Sequence, residues 1–250
     1  MRIAAISDVH GNLDALSAVL ADIRRRGCDL VVNLGDILSG PLQPAETADL
    51  LMSLDLTTIR GNHERQLLET PPERMGESDA HAYAELQATH LDWLARLPAT
   101  RALDDEVFLC HGTPRDDLEY FLETVEPDGL RAATEEEIAE RIGDCTAAVI
   151  LCGHTHVPRI ARLSSGTLVV NPGSVGLQAY HMDVPYPHDV ENDDPRARYA
   201  VIERVAGVWQ AESVAVAYDH EAAAALAAGH RRPDWAHALR TGRVLPCKES

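Results

Sequence analysis

The sequence predicts an α/β fold in which two packed β-sheets are flanked by helices on both faces. Three observations lead there. Short apolar runs alternate with helical periodicity from Arg2 to Ile59, strand-like runs dominate from Val107 onward, and compact polar clusters stand directly behind the apolar runs. A chain of 250 residues that is 45% hydrophobic can bury a full core without disulfides.

The elements follow in order. Arg2 to Ser7 is an apolar run of strand length, and Asn12 to Arg26 sets Leu13, Leu16, Val19, Leu20 and Ile23 on one helical face before Gly27 ends it. Leu30 to Leu34 is a second buried strand closed by Gly35-Asp36. Ala45 to Leu54 is a helix, and Thr57 to Ile59 is a third strand. Strands separated by helices in this way pair in parallel. Ala80 to Leu97 carries Leu86, Leu91, Trp93, Leu94 and Leu97 around a polar face and reads as one helix stopped by Pro98. Further strands are expected at 107–110, 147–152, 159–163, 167–171, 199–204 and 209–217, and their short connections predict an antiparallel second sheet. His220 to Gly242 is Ala-rich and helical. Met182 to Pro195, rich in Pro and Asp, reads as a loop and not as a domain boundary. Residues 1–250 are therefore expected to form one domain with a helical C-terminal tail, 218–250.

Composition narrows the function. The formal net charge is −18, from 22 basic and 40 acidic residues. Such a surface repels nucleic-acid backbones and anionic membranes, so neither a long nucleic acid nor a membrane is the expected partner. The sole lysine is Lys248. Cys28, Cys110, Cys145, Cys152 and Cys247 are odd in number and form no CxxC pair, which points to a reducing compartment and not a disulfide framework. A strand begins at Arg2 with Asp8 and His10 close behind, unlike a signal peptide, and no apolar run approaches membrane-spanning length. A cytoplasmic location is expected.

Five polar clusters carry the chemistry: Asp8-Val9-His10-Gly11, Gly35-Asp36, Gly61-Asn62-His63-Glu64, His111-Gly112 and Gly153-His154-Thr155-His156. Each stands where a strand runs out, and in open α/β sheets that carboxyl edge binds ligands. Asp8 and His10, like His154 and His156, are two residues apart and face one side in extended backbone. Imidazole nitrogen mixed with carboxylate and amide oxygen suits Mn, Fe, Zn or Ni better than Ca or Mg, and a cluster set without cysteine disfavours a structural zinc knot. Seven candidate ligands exceed the need of one ion but suit two. Two dications outweigh the charge of Asp8 and Asp36, leaving an excess for a bridging hydroxide and an anionic phosphate.

The ordered set D-x-H, G-D, G-N-H-[DE], H and G-H-x-H resembles the calcineurin-like metallophosphoesterase superfamily, in particular its small bacterial and archaeal phosphodiesterase-like branch. Asn171-Pro-Gly-Ser-Val175 and Asp194-Pro-Arg-Ala-Arg-Tyr199 are also similar to that branch. The resemblance implies the four-layer αββα metallophosphoesterase fold and a metal-dependent phosphoesterase. It assigns one metal to Asp8, His10, Asp36 and His156. The second falls to Asp36, Asn62, His111 and His154, with Asp36 bridging. His63 takes the role of the histidine that is not a ligand and that stabilises phosphoryl oxygens or protonates the leaving group. Protein serine/threonine phosphatases continue the second motif as G-D-x-x-D-R-G, with the later aspartate supporting that histidine. Here Ser39 and Gly40 stand at those places, so the arginine grip on phosphate is missing there.

Each residue has an ordinary alternative. Any of the four histidine ligands alone would be a structural histidine, Asp36 an N-cap, Asn62 a turn former, and Glu64 a helix-start residue facing the dipole. Arg60 is a candidate substrate contact or a solvated strand-end arginine. His181 and His188 read as exposed loop histidines, His81, His90, His220, His230 and His237 as surface or packing residues, and Asn171 and Ser174 as turn residues. The expected substrate is a small phosphoester, phosphodiester or nucleotide. The alternatives are a dinucleoside polyphosphate hydrolase, a nuclease, or a metal-binding interaction scaffold without catalysis. Specificity is expected to come from loops 115–122 and 178–195.

Overall fold

The computed structural model describes residues 1–54 and 56–246. Asp55 and residues 247–250, including Cys247, Lys248 and the end of the expected tail, lie outside the described residues. The chain opens with β1 (Arg2–Ile6) and α1 (Leu13–Arg26), whose first turn is capped by Asn12 Oδ1 accepting the Ala15 N–H at 3.1 Å. Gly27 closes α1 in the left-handed region, φ 66°, as glycine allows. Then come β2 (Leu30–Asn33), α2 (Pro44–Ser53), β3 (Thr57–Thr58) and α3 (Asn62–Glu69), a helix whose start the sequence marks only through Glu64. A 3-10 turn at Pro72–Arg74 leads to α4 (Glu77–Glu85) and α5 (Ala88–Ala95). The single helix expected over 80–97 is thus two. Leu86 turns extended, and the Gln87 N–H donates to His90 Nδ1 at 3.2 Å, starting a new helix that buries His90 and Leu94.

Next in order are β4 (Arg101–Ala102), β5 (Val107–Leu109), the hairpin β6 (Glu123–Glu126) and β7 (Gly129–Ala132), and α6 (Glu135–Ile142), capped by Thr134. β8 (Val149–Leu151), β9 (Arg159–Arg162) and β10 (Leu168–Asn171) follow. The stretch expected to be a loop contains a second hairpin, β11 (Ala179–Met182) with β12 (His188–Glu191). Two long strands, β13 (Ala197–Val205) and β14 (Val208–Val216), precede α7 (His220–Gly229) and α8 (Pro233–Thr241).

The first sheet runs β14-β13-β1-β2-β3, with β1, β2 and β3 parallel and the β13–β14 hairpin added antiparallel at β1. The second runs β4-β5-β8-β10-β9. Its centre is parallel, which corrects the expected antiparallel sheet. Short turns do join β9 to β10 and β13 to β14, but β5 reaches β8 through the β6–β7 hairpin and α6. That crossover is long enough to return a strand in parallel.

Strand parity sets the layers. In β1, Ile3 and Ala5 enter the core between the sheets with Val32, Leu109, Leu151 and Val170, while Ala4 and Ile6 face Leu16 and Val19 of α1. On the outer face of the second sheet, Ile150, Cys152 and Val169 pack against Ile138 and Ile142 of α6. The result is helix, sheet, sheet, helix, as the sequence predicts. Cys28, Cys110, Cys145 and Cys152 are free thiols. No helix among the described residues is long and apolar enough to cross a membrane. All five polar clusters emerge at the C-terminal ends of parallel strands: β1, β2, β3, β5 and β8.

Candidate metal centre

The loops that leave these strands bend sharply and bring the seven sequence-nominated ligands into two groups. Asp8, His10 and His156 form one and Asp36, His111 and His154 the other, with the ligand atoms in each group within 4.8 Å of one another. Asn62 joins the second group, its Oδ1 lying 3.0 Å from His154 Nδ1, 3.2 Å from His111 Nε2 and 3.3 Å from Asp36 Oδ2. Five of the seven adopt a positive φ: Asp8 55°, His10 52°, Asp36 53°, His154 70° and His156 60°. Left-handed backbone at non-glycine residues is costly and persists where surrounding structure enforces it, typically at functional sites.

Backbone carbonyls fix each imidazole. Nδ1 of His10 lies 2.7 Å from the Ser39 carbonyl, Nδ1 of His111 2.8 Å from that of Leu34, and Nδ1 of His156 2.8 Å from that of Leu177. His154 is reversed, with Nε2 3.0 Å from the Leu118 carbonyl. A carbonyl only accepts, so the bonded nitrogen carries the proton and the other ring nitrogen presents a lone pair. The lone-pair nitrogens of His10 and His156 then face each other at 3.0 Å. Both carboxylate oxygens of Asp8, buried completely, lack a hydrogen-bond donor, and His156 Nε2, 3.4 Å from Oδ1, turns its lone pair toward them. In either amide orientation, the Asn62 side chain reaches the same group of His111, His154 and Asp36 atoms. Converging lone pairs and orphaned buried anionic oxygens repel one another unless cations lie between them, so the residues fit two divalent metal ions.

Electrostatics agree. Burial and the neighbouring imidazole of His156 push His10 down to about 4, and burial with His111 does the same to His154, so both are neutral donors. Burial works against a charge on His111, but Asp36 overrides it and raises the ring to about 10. The carboxylate thus demands a positive charge there, which a metal ion can supply in place of the proton.

The loops are clamped by buried polar groups whose part was invisible in the sequence. Glu64 is fully buried, and its carboxylate accepts the N–H groups of Asp36 at 2.8 Å, Ile37 at 2.7 Å and Gly61 at 2.8 Å. It is more than a helix-start residue, because it ties the Asp36 loop to the Asn62 loop. Glu123, also fully buried, accepts from Thr155 Oγ1 at 2.7 Å and pairs with Arg159, bracing the turn between His154 and His156. Asn171 donates to the Gly153 carbonyl at 2.7 Å, and Ser174 Oγ donates to that of Asp8 at 2.7 Å, so these two fasten the loops that carry the candidate ligands as well as shaping a turn. Gly61 passes so close to Asp36 and His111 that a Cβ would collide with both.

His63 lies beside this centre, its ring centroid 5.6 Å from that of His10 and its side chain 28% exposed. Its Nδ1 is 2.8 Å from Asp79 Oδ1 on α4. Burial disfavours the imidazolium, but Asp36 and the bond to Asp79 outweigh it and raise the pKa to about 9. Asp79 takes the supporting place that Ser39 cannot fill. The sequence offers no signal for it, since an aspartate in a helical first turn reads as a dipole-favoured residue.

A cavity of about 1260 Å³ opens over the centre. The cleft is lined by Arg74, Arg232, Trp235 and Tyr180, and Arg60, expected as a candidate substrate contact, is not among its lining residues. His181 does line the cleft, whereas His188 is buried and not exposed, with Nε2 3.1 Å from Tyr120 Oη. Tyr120 also meets Tyr180 at 2.9 Å, so loop 115–122 and the β11–β12 hairpin form one connected rim.

A family model described as the calcineurin-like phosphoesterase superfamily domain matches residues 1–186. An uncharacterized protein of Methanocaldococcus jannaschii is 26% identical over 264 residues, spanning 93% of this chain and 94% of its own length. The crystal structure of a metallophosphoesterase from Sphaerobacter thermophilus superposes with a TM-score of 0.75 at 28% identity, covering 97% of this chain and 99% of that one. A hypothetical protein from Pyrococcus horikoshii shares the fold with a TM-score of 0.70 at 17% identity, covering 96% of each chain. With the family model matching well over half of its length, and the motif residues gathered at one end of two packed sheets, this chain belongs to the calcineurin-like phosphoesterase superfamily.

Proposed function

We propose that the protein hydrolyses small phosphoesters, phosphodiesters or nucleotides with two divalent transition-metal ions bound at this centre. The observation that carries the reading is the double set of buried lone pairs, with the Asp8 carboxylate left without a hydrogen-bond donor. Asp8, His10 and His156 would hold one ion, and Asn62, His111 and His154 the other, with Asp36 shared between them. Mn, Fe, Zn and Ni suit the mixed nitrogen and oxygen donors. When bound, such ions supply Lewis acidity toward a phosphoryl oxygen and lower the pKa of the attacking water.

The chain's own residues do the rest. The backbone carbonyls of Ser39, Leu34, Leu177 and Leu118 keep the imidazoles oriented. His63, oriented by Asp79 through Nδ1, presents Nε2 to the cleft and delivers a proton to the departing oxygen. The partner is a small phosphorylated molecule and not a long nucleic acid or membrane, since a formal charge of −18 repels both. We place the protein in the cytoplasm on its cysteine usage.

The test is a screen of metal-stripped protein against Mn, Fe, Zn and Ni with p-nitrophenyl phosphate, bis(p-nitrophenyl) phosphate and dinucleotides. Hydrolysis that depends on added metal is expected. Absence of turnover with every pairing would refute the proposal.

A further inference from the structure

The cavity above the metal centre is too large for a phosphoryl group alone, because pockets of about 300–1,000 Å³ already enclose drug-sized ligands. Its walls are unlike the rest of this acidic protein. The Trp235 ring meets His10 edge-on at 5.8 Å, and Tyr180 meets His156 at 4.8 Å, so an aromatic surface begins directly at the first ligand group. Leu177 and Ala238, both buried, line the same cavity. Met182 and Leu245 follow at the mouth, 37% and 40% exposed. Large apolar side chains left open to water beside a polar centre mark a binding surface.

Charge points the same way. Arg232 lines the cleft but is already bound to Asp234 at 2.6 Å and stacks over Trp235 at 5.7 Å. Asp189, Glu191 and Asp234 line the same cleft, against Arg74 and a His181 already bound to Asp183 and Asp189. A second phosphate would meet a wall of mixed charge in which the carboxylates outnumber the arginines, whereas an uncharged group would meet apolar side chains.

We infer that this wall is the subsite for the organic part of the substrate, and that this part is an uncharged apolar or aromatic group and not a further phosphate. The inference rests on the phosphoesterase reading and deepens it. α8 and the β11–β12 hairpin are the elements that select the substrate, while the strand-end loops perform the chemistry.

The experiment compares alkyl p-nitrophenyl phosphodiesters in which the alkyl group is methyl, butyl or hexyl, using Mn²⁺-loaded protein, with binding of the matching alkylphosphonates followed by calorimetry. Burial of each methylene predicts a rise in kcat/KM, and in phosphonate affinity, of about two- to fourfold. Met182→Glu and Leu245→Asp, both at the exposed mouth, should cut the hexyl-to-methyl ratio at least about tenfold. Val208→Glu, at an exposed apolar position on β14, serves as control and should leave the ratio unchanged. If no diester is hydrolysed while phosphonate affinity still climbs with chain length, the phosphoesterase reading fails and the subsite stands. A flat series in both measurements, or a preference for nucleoside polyphosphates over the hexyl ester, overturns the subsite.

Discussion

Removing Asp79 should cost catalysis only through His63. The two side chains meet at 2.8 Å, Nδ1 to Oδ1, and the Asp79 side chain is 9% exposed, so water competes little for the bond. A hydrogen bond to a charged group contributes roughly 1.5–3 kcal/mol, and about 1.4 kcal/mol corresponds to a factor of ten. Asp79→Ala should therefore lower kcat by about ten- to a hundredfold on a phosphoester with a poor leaving group. Asp79→Asn, whose amide oxygen can still accept from Nδ1–H, should recover part of that loss. His63→Ala removes the proposed proton donor and should cost at least about a hundredfold, with metal content near wild type. The penalty should shrink for p-nitrophenol as leaving group, which barely needs the proton. The informative measurement is the double variant. If Asp79 only positions His63, then His63→Ala/Asp79→Ala should match His63→Ala within about threefold. Losses that multiply would refute the coupling, and loss of metal in His63→Ala would make that residue a ligand.

Other expectations concern the centre and the fold. Elemental analysis after reconstitution should approach two metal equivalents per chain, and Asp36→Asn should weaken both sites; one equivalent with Asn62 and His111 dispensable would exclude the paired arrangement. Thr155→Val removes the bond to Glu123 and should weaken metal binding on the His154–His156 turn by about ten- to a hundredfold, as such supporting partners typically do; titration with Mn²⁺ reads it directly, and unchanged affinity would show the brace to be idle. Tyr199, fully buried, donates to Asp22 at 2.6 Å, so Tyr199→Phe should lower unfolding free energy by about 2 kcal/mol in urea titrations, with a loss below about 0.5 kcal/mol counting against the bond. Small phosphoesters should be turned over far better than a folded phosphoserine protein; the reverse preference would contradict the absence of an arginine grip after Asp36.

The sequence by itself determined the layered fold and nominated the candidate ligands, because both are written locally. Periodicity placed β1, α1, β2, α2 and β3, and each candidate ligand directly follows a strand or the turn that ends it, so chain order alone assembled the candidates. Local pattern could not separate α4 from α5, since Leu86 and Leu94 suit one helical face as well as two helices. Nor could it find the β11–β12 hairpin among prolines and aspartates, or a parallel centre in the second sheet. Asp79, Glu123 and Trp235 show where the tertiary structure decided. Each reaches the site across long sequence separations: Asp79 lies 16 residues from His63, Glu123 lies 32 from Thr155, and Trp235 rests against His10 from the far end of the chain. Such contacts are set by which helix packs on which sheet, a choice made by the summed burial of many apolar side chains. The polar or aromatic residue that arrives there carries no local mark of its destination.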